Sequence, residues 1–276
     1  MEKKANCIKR IEIDNLWGRF SIAWDLRPDV NILSGINGVG KTTILKRSVT
    51  HLSQLSGEMT NDKKNGIRIF FDDPQATFIP YDVILSYDKP LVWGEMASRI
   101  PDGNVRSELD WQLYLLQRKY LDYQVNIGNR MIELLNSDKE EDRKTAATLS
   151  LPKKKFQDMI DTLFSYTHKT IDRKRNDIAF YQNSELLFPD KLSSGEKQML
   201  LILLTVLVRG DEHCVLFMDE PEASLHIEWQ QKLISMIREL NPNEQIILST
   251  HSPAVIMEGW LDAVTEVSDI STPVNK

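Results

Sequence analysis

Eight consecutive residues constrain this chain more than any others. Gly35-Ile36-Asn37-Gly38-Val39-Gly40-Lys41-Thr42 fits the pattern G-x-x-x-x-G-K-[ST] without a gap. An apolar segment, Val30 to Leu33, precedes it as a predicted strand, and Thr43 opens a predicted helix that runs to about Leu55. Glycines let backbone N–H groups, here including those of Asn37 and Val39, close around phosphate oxygens, and a helix N-terminus adds a favourable dipole. Lys41 is placed to neutralise β- and γ-phosphates, and the Thr42 hydroxyl is an expected ligand of Mg²⁺. The combination predicts a site for a nucleoside triphosphate, with ATP and Mg²⁺ as its expected occupants.

A second run, Val215-Leu-Phe-Met-Asp219-Glu220-Pro-Glu222, carries four hydrophobic residues into a pair of acids. A buried strand of this kind delivers Asp219 to the edge of a parallel sheet where ligands bind, and Asp219 is the expected second Mg²⁺ ligand. Glu220, one residue later, is placed to orient and deprotonate an attacking water.

Around these motifs the chain reads as α/β. Segments beginning at Ile8, Ser21, Val30, Ile67 and Val83 are predicted strands, with turns at Asn15-Gly18, Arg27-Asp29 and Asn61-Gly66. After Asp190, apolar strands (Cys214 to Met218, Gln245 to Ser249, Ala263 to Val267) alternate with helices (Gly195 to Arg209, Ser224 to Leu240), the pattern of a parallel sheet covered on both faces. Between these parts the texture becomes helical. Leu109, Leu113, Leu116, Tyr120, Tyr123, Ile127, Met131 and Leu134 recur at steps of mostly four and three, predicting a helix over 104–136. After a charged break at Ser137 to Arg143, Phe156, Met159, Ile160 and Leu163 mark a second helix. The expected organisation is a first lobe segment at 1–103, a helical-hairpin insertion at 104–168, and a second lobe segment at 169–276.

The 276 residues carry 34 Lys and Arg against 40 Asp and Glu, a net charge of -6 that argues against a whole-surface nucleic-acid binder. Local basic clusters at Lys63-Lys64, Lys153 to Lys155 and Arg173 to Arg175 are expected to be mostly solvated surface, with phosphate contact as the alternative. Cys7 and Cys214 form neither a disulfide framework nor a zinc spacing. No stretch has the length of a membrane span or the form of a secretory signal, so the expectation is a cytoplasmic protein without membrane contact.

With three smaller pieces, the two motifs resemble the ABC-type ATPases. Ser193-Ser194-Gly195-Glu196-Lys197-Gln198 looks like their signature in the form seen in the RecF/SMC-like and OLD-like branches. Ser224-Leu225-His226 looks like the D-loop, and His251 looks like the switch histidine. The fold implied is an ABC-ATPase head: mixed N-terminal strands, a parallel core sheet flanked by helices, and a helical-hairpin insertion. The resemblance further implies ATP hydrolysis by a homodimer or higher homo-oligomer, in which two heads sandwich ATP head to tail. Ser193, Ser194, Gly195 and Glu196 then complete the partner's site, and Glu220, His251 and Lys41 are the catalytic set. A Q-loop glutamine is also implied. Gln75 is the candidate, as a further contact to nucleotide and Mg²⁺, with Asp88 as the alternative; Arg19 or Phe20 are candidates for adenine contacts.

Among branches, the run Glu220 to Trp229 and the Thr250 to Pro253 stretch look most like the OLD-like ATPases of bacterial anti-phage defence, and the stand-alone ATPase of PARIS-like systems in particular. OLD proteins continue into a TOPRIM nuclease, so a sequence ending at Lys276 leads to the expectation of a separate TOPRIM-type effector. A RecF/SMC-like ATPase that binds DNA in repair or maintenance is the alternative, and a transporter's nucleotide-binding subunit fits less well.

Overall fold

The computed structural model describes residues 3–55, 66–85 and 105–274. In chain order the strands and helices are β1 (Ile8–Leu16), β2 (Phe20–Asp25), β3 (Val30–Ser34), α1 (Lys41–Leu55), β4 (Ile67–Phe71) and β5 (Tyr81–Leu85). There follow α2 (Glu108–Leu135), α3 (Glu140–Thr148), α4 (Leu151–Leu163), β6 (Lys169–Ile171), β7 (Phe180–Gln182), β8 (Glu185–Leu187) and α5 (Ser194–Arg209). The chain closes with β9 (Cys214–Asp219), α6 (Ile227–Leu240), β10 (Glu244–Ser249), α7 (Pro253–Met257), β11 (Val264–Glu266) and β12 (Ser271–Pro273). Two compact units form, one from Met1–Ser86 with Asp211–Lys276, the other from Tyr87–Gly210.

The first unit holds two sheets. One is antiparallel, in the order β12-β2-β1-β4; the other is parallel, in the order β11-β3-β10-β9-β5. All six residues of β9 and all six of β10 are buried, the signature of central strands covered on both faces. In β1 Ile8, Ile11, Ile13 and Leu16 turn inward, joining Trp24, Ile44, Phe217 and Ile247 in one core. Gln245 stitches the sheets together. Its Oε1 accepts from the Ile8 N–H at 2.8 Å, and its Nε2 donates to the carbonyls of Ile8 (2.8 Å) and Arg27 (2.7 Å).

The second unit is helical, with a small antiparallel sheet of β6, β7 and β8. Ser107 and Asp110 form a reciprocal cap on α2, and Lys197 on α5 pairs with Asp110 at 2.7 Å. The helix expected over 104–136 is found at Glu108–Leu135, with only Leu109, Asp110, Leu113, Leu116 and Tyr120 buried. The region after it contains two helices: α3 forms inside the charged stretch, and Pro152 begins a new helix at α4, where a missing N–H costs nothing.

At the start of α5, Glu196 is 1% exposed. Its carboxylate accepts from the Ser193 N–H (2.9 Å) and Thr167 Oγ1 (2.8 Å), and pairs with Lys169 Nζ at 2.9 Å. Burial pushes this carboxyl up, but Lys169, the Ser193 amide and Thr167 outweigh it and hold the pKa below the ordinary glutamate value. The stabilisation is therefore complete above the unfolded pKa of about 4.3 and is lost as pH falls through the depressed folded value.

Two outcomes follow for stability. Gln245→Leu takes the buried partner from the Ile8 N–H and the Ile8 carbonyl, while the Arg27 carbonyl keeps the Asn31 amide at 2.9 Å, so chemical denaturation should show a loss of about 2–4 kcal/mol. Glu196→Gln strands a buried Lys169 and should cost about 3 kcal/mol at neutral pH. That second gap should narrow as urea titrations move into acid; a gap independent of pH would contradict the assignment.

Candidate nucleotide site

The site assembles where three parallel strands end. The glycine loop follows β3, Asp219 ends β9 and Ser249 ends β10, with Ser249 in register beside both Asp219 and Leu33. Ligands bind at such carboxyl edges because loops and helix N-termini converge there. Lys41 folds into the loop, its Nζ donating to the carbonyls of Gly35 at 2.9 Å and Ile36 at 3.3 Å. Burial pushes the Lys41 ammonium below the usual lysine range, against the opposing pull of Glu220, Asp219 and Glu222. Asn37 and Gly38 stand exposed, Val39 and Thr43 are half-buried, and α1 begins at Lys41.

Asp219 is 3% exposed, and two hydroxyls converge on one of its oxygens. Thr42 Oγ1 donates to Oδ1 at 2.9 Å and Ser249 Oγ donates to the same atom at 2.6 Å. The other oxygen, Oδ2, is buried and has no hydrogen-bond partner. An orphaned buried carboxylate oxygen beside a threonine hydroxyl fits a hard divalent cation. Mg²⁺ typically takes one or two protein ligands and fills its octahedron with water and phosphate oxygens. No cluster of three His, Cys, Asp or Glu side chains able to hold a metal occurs among the described residues. The donor set therefore suits a metal that arrives with its own oxygen ligands.

Glu220 adopts a left-handed backbone, φ 49°, which costs a non-glycine residue about 1–3 kcal/mol. Its N–H donates to the Ser249 carbonyl at 2.9 Å. Its Oε1 lies 3.0 Å from His251 Nε2, and both side chains remain about one third exposed. Glu222 is a brace that sequence reasoning missed. It is buried, and Oε1 accepts from Thr250 Oγ1, from the His251 N–H at 3.0 Å and from the Ser252 N–H at 3.3 Å. The loop carrying His251 is thereby fastened to the turn that carries Glu220.

The other sequence candidates divide. Trp17, within the Asn15-Gly18 turn, is 47% exposed with φ 56°, and its ring covers Gly40. A Cβ at Gly40, where φ is 114°, would lie 2.8 Å from Trp17 Cη2, so only glycine admits the indole. Arg19 and Phe20, beyond that turn, are exposed. Gln75 is not brought to the site. It sits in an exposed turn held by Lys3 at 3.3 Å, ahead of β5, whereas Asp219 lies level with Leu85 at that strand's far end. A residue following β5 would be better placed, but Asp88 falls outside the described residues, as do Lys63 and Lys64.

In the segment after Glu222, Leu225 is buried, Ser224 is exposed, and His226 caps α6. Gln230 holds this turn, donating to the Leu225 carbonyl at 2.9 Å and accepting from Ser252 Oγ at 2.6 Å. In the second unit Ser193 and Ser194 are exposed at the start of α5 and Gly195 is half-buried. Glu196 faces inward, holding the turn that presents them. Of the basic clusters, Arg173 pairs with Asp158 and Asp161, Arg175 pairs with Asp177, and Lys153 donates to Gln124 at 2.5 Å.

No helix among the described residues is long and apolar enough to cross a membrane. Over most of its length the chain is similar to an Smc head solved bound to the C-winged helix domain of ScpA. That likeness has a TM-score of 0.52 at 12% identity and covers 97% of each chain, which shows the fold of an Smc head. The Septu protein PtuA of Bacillus thuringiensis is 22% identical over 90% of this chain and 72% of its own length. The Retron Vc95 probable ATPase of Vibrio cholerae is 30% identical over 71% of this chain, which spans only 39% of that relative. Residues 87–258, more than half of the sequence, match the family described as "AAA domain, putative AbiEii toxin, Type IV TA system", and the chain belongs to that family of ATPases.

Proposed function

We propose that this chain binds ATP with Mg²⁺ at the glycine loop, hydrolyses it slowly, and uses the bound state to assemble head to tail with a second copy. The observation that carries the reading is the Thr42–Asp219–Ser249 cluster, with one buried carboxylate oxygen unpartnered next to Lys41. Mg²⁺ held by Thr42 and Asp219 supplies charge neutralisation for the β- and γ-phosphates. Lys41 exchanges its loop carbonyls for phosphate oxygens, and the loop amides hold the chain of phosphates in line. Glu220 takes a proton from a water as its oxygen bonds to the γ-phosphorus and the bond to the β-phosphate oxygen breaks, leaving ADP and phosphate. His251 holds Glu220 in place and reaches the γ-phosphate as Glu220 turns to the water. Trp17, rather than Arg19, offers the face on which adenine stacks. Ser193, Ser194 and Gly195 of a second copy complete the γ-phosphate shell, with Glu196 holding that turn in shape.

In this reading the product of ATP binding is an assembly, which senses a trigger and recruits a separate effector of the TOPRIM-nuclease type in anti-phage defence. The Glu220 to Trp229 and Thr250 to Pro253 runs support that setting, and so does kinship with a Septu protein and a retron ATPase. The acidic balance and the ion-paired Arg173 and Arg175 weigh against a DNA-binding repair ATPase.

Lys41→Ala should abolish ATP binding in calorimetry. Glu220→Gln should keep binding while phosphate release falls by about 10²- to 10⁴-fold, and should accumulate as an ATP-bound dimer in sedimentation. A Glu220→Gln protein that hydrolyses normally, or stays monomeric with ATP, would refute the base or the assembly respectively. Trp17→Ala should lose about 1–3 kcal/mol of ATP affinity, the usual worth of one base–aromatic stack. Its affinity for tripolyphosphate should be unchanged, and an equal loss for both would mean that Trp17 only shapes the loop.

A further inference from the structure

The loop that carries His251 is held at two points. At the first, Glu222 Oε1 gathers three donors on one atom: Thr250 Oγ1 and the N–H groups of His251 and Ser252. Bonds that converge on a single oxygen fix a distance better than a direction. The second point is Gln230, half-buried in the first turn of α6. Its Oε1 accepts from Ser252 Oγ at 2.6 Å. Its Nε2 donates to the Leu225 carbonyl at 2.9 Å and reaches the Glu222 carbonyl at 3.5 Å. The Ser252 oxygen accepts in turn from the Ala254 N–H at 3.2 Å, capping α7.

Chemistry sets the direction of each of these bonds. A serine hydroxyl has one proton; Ser252 gives it to Gln230, and its lone pairs remain for the Ala254 amide. A glutamine side chain accepts at one atom and donates at the other, so one residue can take the Ser252 hydroxyl and bond the Leu225 carbonyl. Ionised glutamate has no proton for that carbonyl, lysine has no acceptor for the hydroxyl, and methionine offers no donor and only a weak acceptor. Gln230 thereby joins the turn that follows Glu220 to the loop that follows β10. The two loops meet again at the site itself, where His251 Nε2 lies 3.0 Å from Glu220 Oε1.

We propose that Gln230 is a positioning residue: by fixing Ser252 to the turn at Leu225, it sets the direction from which His251 meets Glu220, and so governs turnover without contributing to ATP binding. The inference rests on the hydrolysis reading given above. None of the Gln230 side-chain bonds involves the glycine loop, Thr42 or Asp219. A misplacement of about 1 Å among reacting groups costs up to about 10²-fold in rate. Loss of the link is therefore felt in kcat and not in affinity.

Gln230→Met and Ser252→Ala, singly and together, test it. Each single variant should lower kcat by about 10- to 10²-fold, with ATP affinity in calorimetry unchanged. The double variant should be no slower than the worse single one, because both changes break the same link. In hydrogen exchange without nucleotide, Gln230→Met should speed the His251 and Ser252 amides about five-fold, the worth of one net hydrogen bond, and leave those of the glycine loop unchanged. Single effects that multiply in the double variant, a Gln230→Met protein that loses ATP affinity as much as kcat, or unchanged exchange at His251 and Ser252 would each overturn the proposal. A wild type without turnover, in which Gln230→Met still speeds that exchange, would refute hydrolysis at this site and the control of turnover with it, while the link itself would stand.

Discussion

Everything in the first unit is organised around keeping one carboxylate, Asp219, out of bulk water while leaving half of it unsatisfied. A buried carboxylate is tolerated only with donors or a cation close by. Here two hydroxyls serve one oxygen, and Lys41, drawn into the glycine loop, supplies a positive charge that interacts with it. Asp219, Glu220 and Glu222 all act on Lys41, so three acids oppose one cation in this corner. A polyphosphate entering alone would meet an excess of negative charge. On the proposed reading nucleotide and divalent cation bind as one unit, with the orphaned Oδ2 placed where the cation's charge is needed.

The backbone around Asp219 is correspondingly constrained. Glu220 is held left-handed by its bond to the Ser249 carbonyl, and Glu222 binds the amides of His251 and Ser252. These bonds run in both directions between the end of β9 and the end of β10. A displacement of the His251 loop consequently pulls on Glu222 and, through two peptide units, on Glu220. The loops of the histidine and the glutamate are tied together by a third acid, Glu222, to which the motif reading assigns no role.

What could be read from sequence was what has a local cause. The glycine loop is a contiguous pattern between a strand and a helix, and β9 is a run of apolar residues ending in acid; both lie where expected. The long helix was legible in its period, but burial stops after Tyr120, and periodicity does not distinguish a helix face covered by its own chain from one left open. Strands β6, β7 and β8 have three residues each, too few for alternation to register. Glu222 was illegible because its partners lie 28 to 30 residues away. Trp17 was illegible because only the fold lays its ring on Gly40. Gln75 failed for a topological reason: a residue before β5 emerges at the wrong end of a parallel sheet.

Three glutamates near the motifs illustrate how environment, rather than residue type, assigns a role. Glu196 is saturated by a lysine, a hydroxyl and an amide in the interior, and its depressed pKa belongs to a structural anchor. Glu222 is buried against hydroxyl and amide donors, which spend its Oε1 on bracing a loop. Glu220 alone combines partial exposure, a single exchangeable partner in His251 and a backbone pinned in an unfavourable conformation. A base must reach water and release its proton again, which the first two environments forbid. The strained, half-open position is the one of the three where turnover chemistry can occur, and its cost is met by the buried bonds that hold Asp219 and Glu222 on either side.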